Sequence, residues 1–138
     1  MIELRVNKIL DLVPGVLGTH DVVTDASGPL HVLEKTQLDN LARLKAAKSF
    51  ASIAYDTTTR NITAVGSSPR DNVLAVTNGA TEAAVQLMKR PSLLRLATSH
   101  PRFLEIIARL EEARTSGREI NIGVLPGSVQ IEDARLDP

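Results

Sequence analysis

Three histidines and no cysteines limit the chemistry this chain could perform. His20 and His31 fall in an expected hairpin, with Asp21 beside the first and Asp25 or Glu34 in reach as a further ligand. A metal site needs three or four convergent groups. Adjacent residues of a strand point to opposite faces, so His20 and Asp21 diverge and surface polarity is the plainer reading. His100 precedes Pro101 at an expected helix start and reads as exposed. A second candidate is Asn78–Glu82, where a strand runs into Asn78-Gly79 and Thr81 begins an expected helix. Amides of Gly79, Ala80 and Thr81 could face an anion there, with Arg90 or Arg95 as a clamp. A third is the spacing of seven between Arg95, Arg102 and Arg109. It makes a basic stripe only if one helix runs through Pro101, and pairs such as Glu105–Arg109 make it a solvated face. No phosphate-binding or dinucleotide glycine motif is present, and no Gly-x-Ser-x-Gly elbow. The expectation is therefore no catalytic set, no metal and no cofactor.

The composition narrows the class of protein. Sixteen basic residues balance sixteen acidic ones in 138 residues, and 43% are hydrophobic. That suits one folded domain and disfavours disorder. A neutral chain lacks the basic footprint of a nucleic-acid binder. Its only aromatics, Phe50, Tyr55 and Phe103, are too few for a stacking platform. No apolar run reaches the roughly 18 residues of a membrane span. The N-terminus lacks the continuous apolar segment of a signal peptide, so a cytoplasmic location is expected.

The elements that would position these residues follow from periodicity. Ile2, Val6, Ile9, Leu10 and Val13 predict a helix over 2–13, stopped by Pro14-Gly15. Residues 16–24 and 30–33 predict a hairpin around Asp25–Gly28. Thr36 predicts the cap of a helix to about Lys48, with Leu38, Leu41 and Leu44 along one side. Residues 50–78 predict three strands, 80–90 a helix, and 92–99 a further helical piece. Phe103, Ile106, Ile107 and Leu110 predict a helix over 99–116. Residues 119–125 and 128–133 complete a hairpin, and the last four residues read as frayed. No internal repeat is visible. The fold class expected is α+β: an antiparallel five-stranded sheet with helices packed on it, plus a C-terminal helix and hairpin.

The segments LDLVPGVLG (10–18) and TDASGPLHVL (24–33), followed by helix, three-strand meander and helix, resemble the Roadblock/LC7 domain over residues 2–90. Residues 91–138 would then be an extension packed on the same core. The resemblance implies a homodimer joined edge to edge through strand 50–56, with helix 36–48 near the twofold axis. It implies a non-enzymatic scaffold or regulator, often of Ras-like small GTPases. The expected dimer or partner interface is Phe50, Ile53, Tyr55, Leu38, Leu41, Arg43, Lys45 and Lys48. Strand 50–56 has no Lys or Pro within it, so as a free edge it would invite pairing with another chain. Two other readings stand beside this one. One is a small enzyme or anion- or cofactor-binding domain at Asn78–Glu82, a segment similar to the VTxGATEA stretch of fold-type I aminotransferases. The other is a structural subunit of a larger assembly.

Overall fold

A computed structural model describes residues 1–15 and 19–137. The chain divides into Met1–Ser68 and Pro69–Pro138. Residue 90 lies in the connection between two paired strands of the second unit. Residues 16–18, half of the VPGVLG segment, lie outside the described residues.

In the first unit, Ile2–Glu3–Leu4–Arg5–Val6–Asn7 alternates apolar and polar and forms strand β1 (Ile2–Asn7), not the first turns of a helix. After Lys8, β2 (Ile9–Pro14) continues the ribbon with its phase shifted. That one-residue shift makes Ile2, Val6, Ile9 and Val13 imitate helical spacing. β2 pairs with β3 (His20–Thr24), which pairs with β4 (Gly28–Val32), all antiparallel. The β2–β3 register shifts between Ile9 and Asp11, so Leu10 sits in a bulge. Helix α1 (Lys35–Ala46) follows, then β5 (Ala51–Asp56) and β6 (Ile62–Ser67). β5 lies between β1 and β6, antiparallel to both. β4 reaches the β6 side through a parallel bridge of His31 with Asn61, where the His31 amide donates to the Arg60 carbonyl at 2.8 Å.

Taking β1 and β2 as one bent strand, the neighbours close into a ring: β1/β2, β3, β4, β6, β5 and back to β1. With its helix between β4 and β5, this is a five-stranded, partly open Greek-key barrel in the strand order of the OB fold. Leu41 and Leu44 of α1 join Val22, Leu30, Ile53 and Ile62 in its core.

The second unit repeats the plan. β7 (Arg70–Asp71) and β8 (Val73–Asn78) form a bent ribbon interrupted at Asn72. β8, β9 (Glu82–Leu87) and β10 (Leu94–Ala97) make the meander. Helix α2 (Phe103–Ser116) follows, and β11 (Ile120–Gly123) lies between β7 and β12 (Asp133–Leu136). The ribbon bulge recurs at Leu74. The parallel bridge recurs as Arg95 with Gln130, where the Arg95 amide donates to the Val129 carbonyl at 2.8 Å and the Ile131 amide to the Arg95 carbonyl at 2.7 Å. The buried helix residues keep the same spacing, Gln37, Leu41 and Leu44 in α1 and Ile106, Leu110 and Ala113 in α2.

Among the described residues, four three-stranded sheets and two helices therefore replace the expected five-stranded sheet with helices packed on it. The helix expected over 80–90 is strand β9, in which Ala83, Val85 and Leu87 are buried and Gln86 is exposed. Alternating burial in a paired strand overrides the helix preference of its alanines. The piece expected at 92–99 is β10, and α2 begins at Phe103 rather than Ser99.

Candidate interaction site

The eight residues expected at an interface do not form one surface. Ile53 (0% exposed), Tyr55 and Leu41 are in the core of the first unit. Leu38 packs against that core half-buried, and Phe50 is half-buried before β5. Arg43, Lys45 and Lys48 are exposed at the end of α1. β5 is paired along both sides, so the open edge expected at 50–56 does not exist. Because the strand is central, every residue from Ala51 to Tyr55 is buried, Ser52 included, whose hydroxyl meets that of Ser68 at 2.8 Å.

The groups that could do chemistry mostly fasten the barrels. Asp21 and His31 are cross-strand partners joined at 2.9 Å. The Asp25 carboxylate accepts the Lys8 amide, and Glu34 is the residue before α1. Among the described residues no group of three or more His, Asp or Glu could hold a metal ion. Asn78 and Glu82 end and begin paired strands, so the expected helix N-terminus is absent there. Arg95 does not wait for an anion, because its guanidinium meets the Glu82 carboxylate at 2.6 Å. Arg102 and Arg109 both reach the buried Asp133, at 3.0 and 3.6 Å, and so tie α2 to β12. His100 is largely buried, not exposed. Its Nδ1 accepts the Arg102 amide at 3.0 Å and its Nε2 faces the Glu132 carboxylate at 3.2 Å. That pattern places the ring proton on Nε2.

One buried polar side chain ends the first strand of each barrel and holds the hairpin beside it. The Asn7 side-chain oxygen accepts the amides of Ala26 and Ser27, and its nitrogen donates to the Ser27 hydroxyl. Asp71 accepts the amides of Asn72 and Lys89.

Two open clefts lie between the last meander strand and the helix that follows it. One of about 350 Å³ is lined by His20, Val32, Leu33, Glu34, Lys35 and Leu38. The other, about 550 Å³, is lined by Thr98, His100 and residues 101–105.

The two barrels differ most at the rim where the bridged strands meet. In the first, the rim is polar and strapped. The Asp56 carboxylate accepts the amides of Thr58 and Thr59 at 2.8 and 3.0 Å. The Thr59 amide, then that of Thr58, holds its pKa below the ordinary carboxylate value. Arg60 donates from its guanidinium to the carbonyls of Ser27 and Pro29 and lies 5.1 Å over the Tyr55 ring.

In the second barrel the same rim is apolar. Met88 (61% exposed), Leu93, Leu125 and Val129 lie on the 88–93 and 124–132 connections. A turn with Gly127 at φ 78 brings the Ser128 amide to the Leu125 carbonyl at 3.0 Å. The parallel pairing of Arg95 with Gln130 sets Leu93 level with Ser128. Leu93, Leu125 and Val129 thus lie on neighbouring segments at one end of the barrel. Residues 124–130 carry no charge, while Lys89 and Arg90 are exposed beside them. Lys89 lies 3.8 Å from Glu119, and Arg90 is unpaired among the described residues. The uncharged run VLPGSVQ is the legible signal for this surface, and in sequence it fits a hairpin turn equally well.

The chain is thus a tandem of two small Greek-key barrels that share a plan and differ at the rim. No family model, curated protein or solved structure matches it. No helix among the described residues is long and apolar enough to cross a membrane.

Proposed function

We propose that this chain is a non-enzymatic binding protein, a scaffold or structural subunit that engages a protein partner through the second barrel. The observation that carries this reading is the group of exposed aliphatic side chains at that rim, Met88, Leu93, Leu125 and Val129. Clustered exposed apolar groups mark contact surfaces. The strand order alone names no ligand, because one fold hosts many functions. Acidic and basic residues balance within each unit, which disfavours a phosphate backbone as the partner. Homodimerisation through 50–56 is not part of the reading, since that strand has no open edge.

A photo-crosslinking amino acid placed at Leu93 in cells of origin tests it, with the exposed Thr63 of β6 as control. Discrete protein adducts at residue 93 and none at residue 63 are expected. Mass spectrometry of the adduct reads out whether the partner is a second copy, a small GTPase or another protein. No adduct at residue 93, or equal labelling at both sites, would contradict the reading.

A further inference from the structure

We infer that the rim of the second barrel docks an acidic segment of a partner protein carrying aliphatic residues among its carboxylates. This rests on the binding role proposed above and names the chemistry of the partner. The surface has two parts. Leu93, Leu125 and Val129 are each more than a third exposed, and the Arg95–Gln130 pairing with the Leu125–Ser128 turn sets them on neighbouring segments at one end of the barrel. Beside them the 88–93 connection supplies Arg90 and Lys89, the latter 3.8 Å from Glu119; residues 88–93 and 124–130 hold no acid, and Glu132, at the far end of the second connection, faces His100.

An apolar floor with a cationic margin selects a ligand of matching pattern. A purely acidic segment would leave the leucines in water. A neutral aliphatic one would leave the guanidinium of Arg90 without a counter-charge. Opposed charge at the margin speeds encounter and sets orientation, and apolar contact holds the complex. The first barrel provides the contrast. At the positions of Leu93, Leu125 and Val129 its rim places Pro29, Asp56 and Arg60, and Arg60 already spans the gap to Ser27 and Pro29. A nucleic-acid strand would use the same two cations, but no aromatic side chain lies in either connection for a base to stack on.

The test is fluorescence anisotropy of a labelled twelve-residue peptide of alternating Glu, Leu and Asp, titrated with the full-length chain. Three comparison probes are the same peptide with Leu replaced by Ser, one with its acids replaced by amides, and a poly-thymidine oligonucleotide. Saturable binding of the acidic aliphatic peptide is expected, with weaker binding of all three others. Arg90→Glu and Leu93→Ser should each weaken it about tenfold, as truncation of an interface anchor does. Both lie on an exposed connection, and an unchanged melting temperature verifies that they fold. Equal binding of the amidated peptide, tighter binding of the oligonucleotide, or indifference to both substitutions would overturn the inference. If the peptide fails while crosslinks at residue 93 persist, this partner chemistry is wrong and the binding role stands. If the crosslinks fail too, both fall.

Discussion

The two barrels are the same device finished in two ways. Each bends its first strand at a bulged leucine, Leu10 or Leu74, and each closes with a single parallel bridge. The first barrel then spends its rim on itself. Asp56 organises the Thr58–Thr59 turn, and Arg60 straps that turn to the neighbouring hairpin. The second leaves Met88, Leu93, Leu125 and Val129 in water. Topology therefore does not decide which end of a barrel is available to a partner. A few side chains at the closure do.

The largest expected effect tests whether the two cores are equivalent. Ile53 and Ile122 occupy matching places on β5 and β11 and are fully buried. Truncating either to Ala should destabilise by about 2–5 kcal/mol. Hydrogen exchange should show faster opening in the strands of the barrel that carries the change. A cost below about 1 kcal/mol at one site and not the other would break the equivalence.

Next in size is the strap. Arg60→Ala removes charge-assisted bonds to two carbonyls, a loss of about 1–3 kcal/mol. Exchange protection around Gly28–Val32 should fall while residues 94–97 stay unchanged. Unaltered protection at His31 would mean that the backbone bridge closes the barrel without its arginine.

Smaller is the exchange of helix ends. Lys48, with φ 55, follows α1 at the place where Gly117, with φ 73, follows α2. A left-handed backbone suits glycine and costs a side chain about 1–2 kcal/mol. Lys48→Gly should raise the melting temperature and Gly117→Lys should lower it. The same sign for both would show that the two ends are not alike.

The smallest effect is a pH dependence confined to the first rim. The pKa of Asp56 is lowered on folding from an ordinary value of 3.8, chiefly by the Thr59 and Thr58 amides. Its contribution is thus present above that value and fades as pH falls through the lower folded pKa. Amide protection at Thr58 and Thr59 should drop in acid before the rest of the barrel opens. Asp56→Asn should remove that dependence.

Much of the sequence was legible where one local pattern ruled. Helix α1 and the core of α2 follow from leucine and isoleucine spacing, and the hairpin at Asp25–Gly28 from its turn residues. Strand β6 is also readable from alternation. The misreadings share a cause. At Lys8 the strand phase slips by one residue, and the slip reads as a helical period. At Glu82–Leu87 helix-favouring alanines fill a strand that only its partners β8 and β10 can hold. The doubled plan left no visible repeat because the matching positions need only similar burial. Leu41 corresponds in position to Leu110, but Gln37 corresponds to Ile106 and Asn7 to Asp71. Strand 50–56 carries a related ambiguity. Freedom from Lys and Pro fits an unprotected edge and a central strand equally well, and only the pairing partners tell them apart. The candidate rim was harder still, because no residue at Leu93, Leu125 or Val129 has a type that announces chemistry.

The central claim is that one barrel rim, and not its counterpart, receives a partner. An amide-resolved NMR titration with the acidic aliphatic peptide tests it most directly. Shifts should concentrate in residues 88–95 and 124–131 and leave residues 25–31 and 56–62 in place. Equal shifts at both rims, or shifts confined to the first, would contradict the account.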